Sequence, residues 1–247
     1  MSKIALLLSG GVDSSVALHM LCQTGEKPDC YYIHIGPDEK DSYSCTSEED
    51  IEMASAVAAK YDCKFEIIDL HREYWDNVVK YTMDKVSRGY TPNPDVMCNT
   101  IIKFGAFYDK IGYKYDYIAT GHYAKLQERD GAFFVERGSN ERKDQSYMLY
   151  RLGQDVLSRL IFPLGEIQDK EQTRQMARDA QLPNADNADS QEICFIDDKM
   201  DNHSQFIQRR GFTPKMGNFV DAEGKVLGQH KGLLNYTIGQ RKGLGIA

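Results

Sequence analysis

Eight consecutive residues, Leu8, Ser9, Gly10, Gly11, Val12, Asp13, Ser14 and Ser15, lie between a short apolar run and a segment with helical spacing. Two glycines let the backbone turn tightly and expose its N–H groups. The serines add hydroxyl donors, and a helix starting here presents its positive end to the same point. Together these make an oxyanion cradle suited to phosphate; a glycine-rich turn without a ligand is the plain alternative. The chain has no Gly-x4-Gly-Lys-Ser/Thr loop, so the cradle lacks a lysine of its own. Asp13 reads either as a carboxylate favoured by the helix start or as a group beside a magnesium–phosphate cluster.

Cysteines are the second source of chemistry. They stand at 22, 30, 45, 63, 98 and 194 with no C-x-x-C pair, which argues against a zinc ribbon or a locally ligated iron–sulfur cluster. Cys22, Cys30 and Cys63 sit in or beside apolar-periodic elements and read as buried packing residues, and Cys45 as the residue before a helix cap. Cys98 follows the Pro-rich stretch Thr91-Pro-Asn-Pro-Asp95 and opens an expected helix from about 99 to 108. A helix start lowers a thiol pKa and so makes a nucleophile. The neighbours of Cys194 are mixed and give a weaker local reason.

The elements that must position these groups alternate β and α. Ile4–Leu8, Tyr31–Ile35, Phe65–Ile68 and Tyr117–Thr120 read as strands, the first fully apolar as in a central parallel strand. Helices are expected after Asp13, after the capping box Thr46-Ser-Glu-Glu49, and from about Glu73 to Arg88. This order implies an α/β fold: an open parallel sheet with helices on both faces, binding ligands at the carboxyl ends of its strands. After Gly121 a hairpin is expected around Asp130-Gly131, then a helix capped by Asp169-Lys-Glu-Gln172 and ending before Pro183. Glycines among short apolar stretches beyond about 211 suggest the start of a small β-domain.

Composition is ordinary for a globular chain, with 41% hydrophobic and 27% charged residues and no run long enough to span a membrane. The apolar run at Ile4–Leu8 is too short for a signal peptide core, so a cytoplasmic protein is expected. The net charge of −7 is uneven: from Lys199 onward eight positives face three negatives, leaving +5 against −12 before it. Arg209-Arg210 and Arg241-Lys242 read equally as phosphate contacts or as solvated faces.

The lysine-free Ser-Gly-Gly-x-Asp-Ser-Ser form resembles the PP-loop of the ATP-pyrophosphatase superfamily. With it, in order, stand Thr91–Asn99, Thr120-Gly-His-Tyr-Ala124, Lys143-Asp-Gln-Ser-Tyr-Met-Leu149, Asp189-Ser-Gln-Glu-Ile-Cys-Phe195 and Tyr236–Gly243. This ordered set looks like the tRNA-specific 2-thiouridylases, the MnmA or TrmU family, over essentially the whole chain. The resemblance implies an adenine nucleotide α-hydrolase-like fold with a small helical central domain and a C-terminal β-barrel, of which this chain carries the start. It implies a catalytic domain at 1–163 plus about 184–198, a central domain at about 164–183 plus 199–216, and the β-domain from 217 to 247. It also implies ATP and Mg2+ as cofactors, and tRNA and a sulfur-donor protein as partners.

By the same resemblance Leu8 to Ser15, Ile33 and Gly121 hold ATP, with Asp13 among the catalytic residues. Asn93, Pro94 and Asp95 lie beside the target base, and His122, Lys143, Asp144 and Gln145 contact tRNA. Cys194 carries sulfur as a persulfide and Cys98 is its partner, the two meeting in a disulfide after turnover. Where the family has a Met-Lys-Asn-Trp-like stretch this chain reads Ile33-His-Ile-Gly36, which leaves backbone contacts for adenine there. The implied reaction is ATP-dependent 2-thiolation of the wobble uridine. Another PP-loop enzyme of amidotransferase or lysidine-synthetase type, or a silent nucleotide- or tRNA-binding protein, are the competing readings.

Overall fold

The apolar run forms strand β1 (Ile4–Leu7), buried along its whole length. It lies between β2 (Asp29–His34) and β4 (Tyr117–Ala119), with β3 (Phe65–Asp69) beyond β2 and β7 (Leu160–Ile161) beyond β4. Every neighbouring pair is parallel, and Leu6 faces Cys30 on one side and Ala119 on the other. A continuous apolar run suits this place because both faces of a central parallel strand are covered. The computed structural model describes residues 2–36, 47–188 and 208–246.

Adjacent strand residues point to opposite faces, and β2 shows both coverings. Tyr32 joins the core that Leu6 and Leu8 share with helix α1 (Val12–Gln23) and helix α2 (Ser47–Lys60). Tyr31 points the other way, and its ring meets Phe107 edge-on at 5.4 Å between centroids. Phe107 belongs to a helix, α4, that runs over residues 94–110 and takes π geometry at Cys98–Ala106. Helix α3 covers residues 71–87, with a π turn at Trp75–Val79. The open parallel sheet with helices on both faces is therefore present.

Three further elements match their sequence signals. Strands β5 (Ala124–Arg129) and β6 (Ala132–Arg137) pair antiparallel, with Asp130 and Gly131 both at positive φ in the turn. A primed two-residue turn needs that backbone, and Asp-Gly supplies it. Helix α5 (Lys170–Asp179) is capped by Asp169, whose carboxylate accepts the Gln172 N–H at 2.7 Å. Strands β8 (Gly217–Val220) and β9 (Val226–His230) form an antiparallel hairpin with an irregularity at Phe219 and Val220. Of the α2 capping box, Thr46 lies outside the described residues.

The chain divides into two compact units, residues 1–75 with 95–191 and residues 76–94 with 192–247. In the first, Leu164, Ile167, Ala177 and Leu182 share the core of Val16, Ala17 and Leu21, so α5 packs on α1. In the second, Phe219, His230 and Tyr236 stack edge to face with centroids 5.1 to 6.0 Å apart. Val220, Val226 and Leu227 there are about half exposed.

From β1 the chain moves outward one way to β2 and β3, and later the other way to β4 and β7. The direction changes between β1 and β4, where an open α/β sheet has its ligand crevice at the strand carboxyl ends. Leu8–Ser15 leaves β1 there and Thr120–His122 leaves β4. The two turns touch: a Cβ on Gly121 would stand 2.8 Å from the Ser14 nitrogen and 2.9 Å from the Asp13 carbonyl carbon. Both are backbone atoms of a helix and cannot move aside. Gly121→Ala should therefore lower stability by about 1–3 kcal/mol, read as an earlier urea midpoint. An unchanged midpoint would mean that the two turns are not held against each other.

Candidate functional site

Helix α1 starts at Val12 after Gly11, which offers no side-chain cap. Side chains of the loop instead hold its shape. The Ser9 N–H donates to Ser14 Oγ at 3.1 Å, and the hydroxyls of Ser14 and Ser15 donate to the Gly11 carbonyl at 3.1 and 3.0 Å. Gly10 has φ of +82°, and a Cβ on it would meet the Asp50 carbonyl oxygen at 2.5 Å. Only glycine meets both demands. Ser9 and Gly11 are exposed, while Leu8, Gly10, Val12, Ser14 and Ser15 are buried. The loop thus offers exposed backbone at a helix start, the arrangement that takes an anion.

Asp13 is the charged residue of this loop, and its surroundings come from two distant segments. Tyr123 donates its hydroxyl to Asp13 Oδ1 at 2.8 Å and shares a 2.8 Å bond with Thr173 Oγ1. Lys170 brings Nζ to the same Oδ1 at 2.5 Å. Asn184, fully buried, donates from Nδ2 to the Gly10 carbonyl at 2.6 Å and to Ser15 Oγ at 2.8 Å. Local sequence pattern assigns no role to Lys170, Thr173 or Asn184. A lysine as the first residue of a capped helix was the one available signal, since a cation is disfavoured at that end.

At the end of β4, His122 is buried and its Nδ1 lies 2.7 Å from Thr120 Oγ1. Phe104 of α4 and Phe162 flank the ring. Burial, then the charge of Lys103, hold the imidazole well below its ordinary pKa. His122 is thus a neutral ring at pH 7 and offers a hydrogen bond, not an ionic contact. Burial pushes the Asp95 carboxyl up, partly opposed by Lys103.

In the Lys143–Gln145 stretch, Asp144 and Gln145 also brace the backbone. Asp144 accepts from the Gly138 N–H, the Ser146 N–H and the Ser146 hydroxyl at 3.0, 3.2 and 2.9 Å. Gln145 Oε1 accepts the Tyr123 N–H at 3.1 Å. These bonds fix the turn beside Tyr123, and Lys143 stands half-buried on it. Next along, Tyr147 and Tyr150 are exposed. Ile33 lies near the carboxyl end of β2, half-exposed and paired with Ile68.

Cys98 does not open its helix. α4 starts four residues earlier, at Pro94, because proline lacks the N–H that a first helical position leaves unpaired anyway. Pro94 and Asp95, expected in a loop, are helical, Pro94 buried and Asn93 before it exposed. Cys98 falls in the second turn at 8% exposure. Cys30 is buried as expected, but Cys22 and Cys63 are only half-buried, with their sulfurs 4.0 Å apart. Burial pushes the Cys22 thiol up to about 12. Cys194 and Cys45 lie outside the described residues. No group of three or more metal-ligating side chains, and no helix long and apolar enough to cross a membrane, occurs among the described residues.

His122 gives a pH signature. The unfolded chain takes up a proton near its ordinary pKa of 6.5, which the folded chain refuses until lower pH. Its contribution to stability is therefore full above that value and is lost as pH falls toward the depressed folded value. In urea titrations, stability should decline with acid below about pH 6.5, and His122→Gln should flatten part of that decline. Equal slopes in the two proteins would contradict a buried neutral His122.

With this geometry in hand, the relatives are informative. The tRNA methyl transferase HUP domain family matches residues 2–198 and the tRNA methyl transferase PRC-barrel domain family residues 204–247. The tRNA-specific 2-thiouridylase MnmA of Porphyromonas gingivalis is 47% identical over 246 residues, covering 99% of this chain and 67% of that protein. The protein of the same name from Parabacteroides distasonis is 48% identical over 247 residues, covering 99% and 68%. MnmA 1 of Bacteroides thetaiotaomicron is 46% identical over 246 residues, again covering 99% and 68%. Identity of this extent, on a sheet whose switch point carries the Ser9–Ser15 loop, means that the chain belongs to the tRNA-specific 2-thiouridylase family.

Proposed function

We propose that this chain uses ATP to replace the C2 oxygen of a wobble uridine in tRNA with sulfur, acting in the cytoplasm. The observation that carries this reading is the uncapped anion cradle at the switch point of a chain in this family. Oxide is a poor leaving group, so the carbonyl must first be activated. The C2 oxygen attacks the α-phosphorus of ATP and pyrophosphate departs. A persulfide on Cys194 then attacks C2, and AMP leaves with the former carbonyl oxygen. Attack of the Cys98 thiolate on the Cys194 sulfur frees 2-thiouridine and leaves a Cys98–Cys194 disulfide. A thiol reductant resets the pair, and a sulfur-donor protein reloads Cys194.

Leu8 to Ser15 would hold the phosphates, and Ile33 with Gly121 the adenylate side. Asn93, Pro94 and Asp95 would flank the target base. Lys143 would meet tRNA on the turn that Asp144 and Gln145 brace, with His122 donating or accepting as a neutral ring. Mg2+ fits only as an ion arriving with ATP. Asp13 is the loop's single carboxylate and its Oδ1 is already engaged, leaving phosphate oxygens and water for the remaining positions. The organisation proposed for the chain is a catalytic unit, a central segment and a β-domain beginning near 217, which the β8–β9 hairpin supports.

Mass spectrometry of tRNA nucleosides after incubation with ATP, Mg2+ and a persulfide donor tests the reaction. We expect 2-thiouridine with the parent chain and only background with Cys98→Ser or Cys194→Ser. Peptide mapping after turnover should recover the Cys98–Cys194 disulfide. ATP cleavage without thiolation, unchanged by either serine variant, would instead assign the chain a different acceptor. The +5 charge from Lys199 onward predicts tRNA affinity that falls steeply with salt, and less steeply in Arg241→Glu. A flat response would reduce that charge to solvated surface.

A further inference from the structure

Lys170 stands where a lysine is electrostatically out of place. It is the first residue of α5, at the positive end of a helix whose Asp169 cap is satisfied by Gln172. Its side chain nevertheless turns inward to 16% exposure and crosses to a loop 157 positions away. There the ammonium meets Asp13 Oδ1 and stands over the Tyr123 ring, 5.9 Å from its centroid. The loop it reaches has a carboxylate and no cation, although its exposed backbone is built for a polyanion. An unbalanced Asp13 would repel the phosphates that the N–H groups attract.

We propose that Lys170 is a positioning residue for ATP cleavage. It cancels the charge of Asp13 and, with Tyr123, fixes the carboxylate, so that the loop meets pyrophosphate oxygens as a neutral cradle. The inference rests on the proposed ATP chemistry and adds to it the group that neutralises the loop's carboxylate.

The test measures inorganic pyrophosphate and AMP binding to the full 247-residue chain by calorimetry. Lys170→Met should weaken pyrophosphate about tenfold, roughly the loss of one charge-assisted contact, while AMP stays within about threefold. Lys170→Arg should keep pyrophosphate affinity within about threefold of the parent. In the Asp13→Asn background, Lys170→Met should cost little, because no carboxylate is left to neutralise. Parent-like pyrophosphate affinity in Lys170→Met would overturn the inference, as would an equal loss in the Asp13→Asn background. An equal fall in AMP binding, or unfolding of both Lys170→Met and Lys170→Gln, would assign Lys170 to the fold and overturn it too. A parent chain that binds neither probe would instead remove the PP-loop reading itself.

Discussion

The first turn of α1 begins without a side-chain cap, so its leading N–H groups have no partner from Gly11. Exposed donors of this kind are useful to a polyanion only if the turn holds its shape when empty. Three contacts from outside the loop supply that rigidity. Gly121 brings the end of β4 against the backbone of residues 13 and 14, Gly10 lets α2 close from the side, and Asn184 ties the Gly10 carbonyl to Ser15. Each is backbone-to-backbone or a short amide bond, with little room to relax. The sheet places two strand ends side by side, and the glycines let them touch.

Charge follows the same logic. Asp13 would be costly in a phosphate site without compensation, and it receives one donor from Tyr123 and one cation from Lys170. Tyr123 in turn is fixed by Thr173 and by Gln145, which accepts its backbone N–H. The motif at residues 143–145 is therefore connected to the nucleotide loop through one tyrosine. A side chain at either place that failed to pack would disturb the other, because Tyr123 is buried at 1% exposure and has nowhere else to go.

Sequence pattern carried local structure well and long-range partnership poorly. The apolar run of β1, the Asp-Gly turn of the β5–β6 hairpin and the Asp169 cap are each decided by neighbours within a few residues, and each was legible. Lys170 and Asn184 act on residues more than 150 positions away, where periodicity says nothing. The start of α4 was misplaced because two prolines in five residues read as loop, although one of them suits a first helical position. Cys22 and Cys63 sit in or beside apolar-periodic elements, yet Cys22 is next to last in α1, Cys63 lies in the loop between α2 and β3, and both stay half-buried. The motif marks Asp144 and Gln145 as site residues by resemblance, and their bonds to the Gly138 and Tyr123 N–H groups, set by the fold, are not legible in it.

The placement of Cys98 changes how its reactivity must be explained. At the opening of a helix its sulfur would feel the unpaired N–H groups directly, and the dipole alone could favour a thiolate. In the second turn that effect is weaker, since it fades within the first turn of a helix. What α4 offers instead is the π geometry that begins at Cys98 itself and runs to Ala106. Wider turns of this type are unusual and cluster at functional sites, because they trade regular hydrogen bonding for an altered side-chain position. The same helix carries Lys103 and Phe104, whose charge and ring act on His122. Cys98 is therefore set on the element that packs against the carboxyl end of β4, so its position relative to the sheet is fixed by packing.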